Sequence, residues 1–205
     1  MRRHFSIGIS AFVCIAAVAV SGVKLFAEDP KPATPPGQMD QAAMMKAWEA
    51  YATPGTEHAE LAKSVGEWDA KVEDLTPGMG NEVSMGTAKS TMIMGGRFLQ
   101  EEFKGTMMGM PFEGMALTGY DNQQKQYFST WIDSMGTGIM VSQGKMAGNK
   151  MEMSGTMTCP MHDKPGTCKS TIDFESPDKH VMNMTMSAPD GSPMGVMRIT
   201  YTRKK

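Results

Sequence analysis

The sequence predicts a mainly-β protein: an antiparallel β-barrel of about ten strands preceded by one or two short helices. Three observations carry that prediction. From residue 67 onward, apolar and small residues alternate with polar ones at a period of two, as in strands with one buried face. Turn residues interrupt the alternation about every ten positions. No long helical pattern separates the strands, so neighbours in sequence pair antiparallel. A meander of that length closes on itself because closure removes the exposed edges. A two-sheet sandwich is the alternative use of the same strands.

The elements follow in order. Arg2 and Arg3 precede an almost unbroken apolar run at 5–20, FSIGISAFVCIAAVAV, and small and polar residues follow, ending at Lys24-Leu25-Phe26-Ala27, with Leu25 where a small residue is usual. That layout predicts a secretory signal peptide over 1–27, hence a periplasmic or secreted protein. An uncleaved membrane anchor is the rival reading. Residues 28–38, EDPKPATPPGQ, form a proline-rich linker. The segment 39–66 is helical. Met44, Ala47, Trp48 and Tyr51 recur at helical spacing within 39–52, with Asp40 as cap and Thr53-Pro54-Gly55 as stop. A second helix runs from Thr56 through 57–65 to Gly66. The barrel domain, 67–205, carries strands near 67–75, 82–93, 96–104, 112–121, 126–133, 137–144, 149–157, 169–175, 179–187 and 193–203. Breaks such as Gly95-Gly96, Asp121-Asn122 and Gly148-Asn149 tolerate the positive φ of tight hairpins.

Charge excludes one class of partner. Without residues 1–27 the chain holds 17 bases against 22 acids, and its only basic cluster is Arg203-Lys204-Lys205. A nucleic-acid partner is not expected. Catalysis is not expected either. There is no G-x-S-x-G elbow and no phosphate loop. Glu101 and Glu102 are neighbours on a strand and face opposite sides, so they cannot work on one substrate atom. Arg97 is placed to pair with one of them at the surface. Asp121 reads as a turn residue, Asp133 as a rim hydrogen-bonding group, His58 as a surface group, and His180 as a structural histidine able to point inward. No nucleophile, base and orienting group come together, so no enzyme is predicted.

The chain has 24 Met but only five Leu, so thioethers do much of the apolar packing. Met151, Met153 and Met157 share a strand face with Cys159, and Met182, Met184 and Met186 share another with His180. Such side chains fill an irregular core, line a cavity for an apolar ligand, or bind a soft metal such as Cu(I). Met107-Met108-Gly109-Met110 is the most exposed stretch for the metal role. The candidate ligand site is the barrel interior: Trp68, Tyr120 and Trp131 with Met151, Met153, Met182 and Met184. Its expected partner is a small apolar or amphipathic molecule.

The stretch 156–171, TMTCPMHDKPGTCKST, carries the rest of the chemistry. In an oxidising compartment a Cys159–Cys168 disulfide is the favoured state, contributing roughly 2.5–3 kcal/mol by loop-closure arithmetic. The alternatives are free thiols or a metal site using Cys159, Met161, His162 and Cys168. Cys-Pro-Met-His followed by Pro-Gly-Thr-Cys resembles a small heavy-metal-binding module of bacterial copper and metal-efflux proteins. Here Asp163 and Lys169 replace two prolines and the final Cys-Gly-Met is absent. A thiolate is therefore missing for tetrahedral zinc, whereas three-coordinate Cu(I) needs no fourth ligand.

Gly66-Glu67-Trp68 resembles the Gly-x-Trp opening of lipocalin-type (calycin) barrels. The resemblance implies that the Trp packs across the barrel floor under a basic residue of the last strand, Arg198 or Arg203. HAELAKSVGEWD, GGRFLQEEFKG, MGMPFEGMALTGYDN, YFSTWIDSMGTG and MRITYTRKK together resemble one bacterial family, the fifteen-seventy-nine family of domains of unknown function, over about 58–205. It implies a calycin-like barrel, often exported, without an established activity. The resulting expectation is an exported, non-enzymatic ligand-binding barrel. A periplasmic copper- or zinc-binding protein and a structural envelope protein are the alternatives.

Overall fold

Alternation at a period of two gives every strand one inward and one outward face, and in the computed structural model the inward faces meet around a closed barrel. The structure describes residues 40–78 and 82–205; the expected signal peptide and proline-rich linker lie outside them. Two helices, α1 (Gln41–Ala52) and α2 (Thr56–Ala62), precede the strands. The strands are β1 (Gly66–Asp74), β2 (Val83–Ile93), β3 (Phe98–Met107), β4 (Met110–Asp121), β5 (Gln126–Asp133), β6 (Met140–Ala147), β7 (Lys150–Met157), β8 (Gly166–Ser176), β9 (Lys179–Ser187) and β10 (Pro193–Arg203). Each pairs antiparallel with its neighbours in sequence, and β10 returns to β1 from Trp68–Arg203 to Asp74–Met197. Closure removes the sandwich alternative. The main boundary differences are that β6 starts at Met140 rather than 137 and β8 at Gly166 rather than 169.

One end of the barrel is built as a floor. Trp68 is only 2% exposed, and its indole Nε1 donates to the Ser64 carbonyl at 3.0 Å. The Arg203 guanidinium lies 4.1 Å from the Trp68 ring centroid and donates to the carbonyls of Val65 (2.6 Å), Lys63 (2.9 Å) and Pro177 (3.0 Å). Gly66, at φ +144°, is the residue under this latch; a Cβ there would strike Arg203 Nη1. Of the two arginines named from the sequence, Arg203 covers the floor, while Arg198 reaches outward to Asn183 at 3.1 Å.

The helices serve the same end unequally. Leu61 of α2 packs into the barrel with Leu99, Tyr127, Met151 and Met153. His58 is buried at 6% exposure, contrary to the expected surface position: its Nδ1 accepts the Gly55 N–H at 3.0 Å and its ring meets Tyr120 edge-on. α1 buries nothing. Its apolar stripe, Met44, Trp48 and Tyr51, stays exposed, and the Asn122 side chain ties its end by donating to the Tyr51 and Thr53 carbonyls, both at 2.9 Å.

Arg203→Ala removes a cation–π contact and strands three carbonyls at once. It is expected to lower unfolding free energy by roughly 2–4 kcal/mol in urea titration, with Arg203→Lys recovering only part because a single ammonium cannot span the fork.

Candidate ligand site in the barrel lumen

The interior does not fill with one continuous apolar core. Trp68, Ala70, Ala88, Phe103, Phe112, Ile199 and Tyr201 form one buried cluster, and Leu61, Leu99, Tyr127, Met151 and Met153 form another. A domain of this size ordinarily joins such groups into one. On one side they are joined by Phe174 against His180 and by Ile172 opposite Met182; on the other side the inward residues are polar and small. Ser90, Glu101, Thr118, Ser129, Ser142 and Ser170 sit at inward positions of β2, β3, β4, β5, β6 and β8, and apart from the buried Ser90 all are half-buried. Thr118 and Ser129 share a hydrogen bond of 2.9 Å, and among the described residues no buried side-chain polar atom lacks a partner.

Glu101 is the carboxyl of this belt. Its Oε2 accepts from Ser90 Oγ at 3.2 Å, and its Oε1 accepts from Tyr201 OH at 3.5 Å. Burial pushes its pKa above the usual carboxylate range, with the two hydroxyl donors opposing that shift. The expected pairing with Arg97 does not occur. The Arg97 guanidinium caps the Met94 carbonyl at 3.0 Å in the β2–β3 turn, and Glu102, on the outer face, accepts from Gln100 at 3.1 Å. The opposite facing of the two acids, read from strand parity, is observed.

Below the belt, His180 is 7% exposed and stacks on Tyr201 at a centroid distance of 4.5 Å, with Trp68 edge-on at 4.5 Å. Burial, with the nearby Arg203 charge, lowers its pKa to about 4. Burial also raises Tyr201 well above its ordinary value, and the neighbouring Glu101 adds to that.

The predicted ligand residues divide between wall and filler. Trp68, Met151 and Met153, each at most 6% exposed, are packed into the two clusters. Met182, Met184, Trp131 and Tyr120 point inward and are half-buried. Trp131 stacks on Phe112, lies over Gly114 and donates to Asp133 Oδ2 at 2.8 Å, which makes Asp133 the rim group expected. Tyr120 packs on Tyr127 near α2. Period-two reading missed the Ser/Thr belt because single hydroxyls at inward positions look like interruptions; their alignment across β4, β5 and β6 follows only from register. Two surface depressions, one bordered by Glu67, Lys89 and Lys104 and the other by Asp173, Asn183 and Arg198, lie on the outer wall and hold none of the predicted residues.

The cysteine loop differs from expectation. Cys159 and Cys168 are free thiols, and the expected disulfide is not formed. The longer β8 explains this: the β7–β8 ladder continues to Met157–Gly166 and fixes Cys168 opposite Gly155, four residues before Cys159. A bridge needs the two Cα atoms within about 7 Å. Cys168 is buried inward, while Met161 is 80% exposed and His162, whose N–H donates to the Cys159 carbonyl at 3.0 Å, lies on the solvent side. The Cys159, Met161, His162 and Cys168 set is therefore not gathered. Among the described residues no three His, Cys, Asp or Glu side chains converge to hold a metal. Met108 and Met110 are exposed in the β3–β4 turn.

Fold and interior together define the class: a small closed antiparallel barrel with a helical floor and a polar belt across its lumen. Within that class the chain belongs to the DUF1579 family, described as a protein of unknown function, whose family model matches residues 53–203. Among solved structures it is similar to Rv2717c from M. tuberculosis, with a TM-score of 0.56 at 12% identity over 75% of this chain and 100% of that one. It also matches the S-type phycobiliprotein lyase CPES from Guillardia theta, with a TM-score of 0.49 at 10% identity over 78% and 97%. The first likeness shows the calycin-like fold. No curated protein matches the sequence.

Two predictions follow from these groups. His180 has a depressed pKa, so the unfolded chain binds its proton first as pH falls from about 6.5 towards about 4. The native state should lose stability across that window and no further below it, by up to roughly 3 kcal/mol relative to His180→Gln. Glu101 contributes an opposite slope in both proteins and cancels from the difference. Separately, burial raises the Cys168 thiol pKa. Iodoacetamide should thus label Cys159 in the folded protein and Cys168 only on unfolding, as read by peptide mass spectrometry.

Proposed function

We propose that the protein is an exported, non-enzymatic barrel that holds a small apolar or amphipathic ligand in its lumen. The observation that carries this reading is the row of polar, mostly half-buried inward residues set beside two apolar clusters. Met182, Met184 and Trp131 supply adaptable apolar wall beside that belt, which suits a ligand of mixed character. Binding without chemistry is supported by Ser90: the serine that donates to Glu101 is 1% exposed and out of a substrate's reach. Export is supported by the basic start and apolar run of residues 1–27.

The test uses the neutral fluorophore N-phenyl-1-naphthylamine on the purified chain. Saturable fluorescence enhancement with one site per barrel is expected. Ser142→Phe, which fills the belt from β6, should weaken binding at least about ten-fold while the thermal midpoint moves only a few degrees. Absence of saturable binding, or affinity indifferent to Ser142→Phe, would end the proposal.

A further inference from the structure

The belt contains one ionisable carboxyl and no cation to match it. Among the described residues no Lys or Arg forms an ion pair with Glu101, and Arg97 is committed to the Met94 carbonyl on the outside. Arg203, on the last strand, is engaged by Trp68, three carbonyls and Asp178 at 3.2 Å. Ser90 and Tyr201 give Glu101 one donor per oxygen, and the Tyr201 contact, at 3.5 Å, is long. A carboxylate accepts about four hydrogen bonds, so acceptor capacity remains on both oxygens. Glu101 stands at an inward position of β3, between the buried Leu99 and Phe103.

An acid in such a position is costly to maintain unless something meets it. Its neighbours are hydroxyls, which orient it without neutralising it. The tail of a ligand would meet a different surface: Met184 stands opposite Ser170 of the belt, and Met182 and Trp131 are half-buried and inward. A head that donates strongly, joined to a hydrocarbon body, satisfies both surfaces.

We propose that Glu101 is the head-group receptor of the lumen and that the ligand class is a lipophilic amine, bound as its ammonium by the Glu101 carboxylate with Ser90 and Tyr201 holding the carboxylate in place. The proposal rests on the lumen-binding reading above. No covalent step is involved; on binding, Glu101 is in its ionised form and the ammonium supplies the missing charge. A charge-assisted hydrogen bond in this setting corresponds to a preference of roughly ten- to hundred-fold over a neutral head of the same length.

The experiment displaces N-phenyl-1-naphthylamine from the full chain at neutral pH with decylamine, decanol and decanoate. The wild type should bind decylamine at least about ten-fold more tightly than decanol, with decanoate the weakest. In Glu101→Gln the amine-to-alcohol ratio should fall to about one. Surface acids remain in that variant, so a general attraction of the amine to the protein predicts no fall. A ratio that stays high in Glu101→Gln overturns the assignment of Glu101. A wild-type ratio near one, or a preference for decanoate, overturns the amine class while leaving the lumen reading standing. If neither the fluorophore nor any of the three ligands binds saturably, the lumen reading and this inference fall together. Should Glu101→Gln not fold, Glu101→Asp withdraws the charge by one methylene; the ratio should then drop part-way, and an unchanged ratio overturns the assignment.

Discussion

The ladder between β1 and β10 is the constraint on which the rest depends. Until Trp68 stands opposite Arg203, the strands form an open meander with two unpaired edges and no inside. Closure brings the first strand against the last, the contact of greatest separation along the chain, and so carries the largest loop-closure cost. The latch offsets that cost locally. Arg203 stacks on Trp68 and satisfies carbonyls from the α2–β1 connection and from the β8–β9 turn, so one side chain joins three separate parts of the floor. Gly66 leaves the space in which it does so.

Once closed, the barrel has to decide what fills it. Large rings lie over glycines on the inward face: Phe103 over Gly86 and Gly105, and Trp131 over Gly114. These pairs fill the interior by apposition rather than by volume at every position. Methionines on β7 and α2's leucine fill the opposite side. The hydroxyl belt is what remains where neither device reaches. It lowers the apolar area available for burial, which is a cost in stability and a gain in accessible interior. A continuous core would reverse both.

Much of this was legible in sequence because the information is local. The period-two pattern and Gly, Asn and Asp turns located all ten strands, and Gly66-Glu67-Trp68 placed the floor tryptophan. Elements decided by register were not legible. Cys168 reads as part of a loop until the β7–β8 ladder is extended to Met157–Gly166, after which it is an inward strand residue paired with Gly155 rather than Cys159. His58 reads as a surface helix residue because its burial depends on Tyr120, distant in sequence. Arg97 near Glu101 suggested an ion pair, but strand parity sends one to the turn and the other to the lumen. The belt met the same limit, because it requires alignment of single hydroxyls across five strands and of Glu101 on a sixth.

Burial drives the titratable groups around Tyr201 towards neutrality from both directions. His180, stacked on the Tyr201 ring, is pushed to lose its proton, while Glu101, at the Tyr201 hydroxyl, is pushed to keep one. Burial foremost, and the Arg203 charge second, oppose the protonated form of His180. Histidine therefore cannot serve as the counter-ion for Glu101, although only Tyr201 separates them. The interior without ligand is uncharged at least cost when the acid is protonated, and an ionised Glu101 needs a cation from outside the chain. That asymmetry, set by the geometry of one tyrosine between an imidazole and a carboxyl, gives the lumen a polarity that hydrophobic packing alone would not.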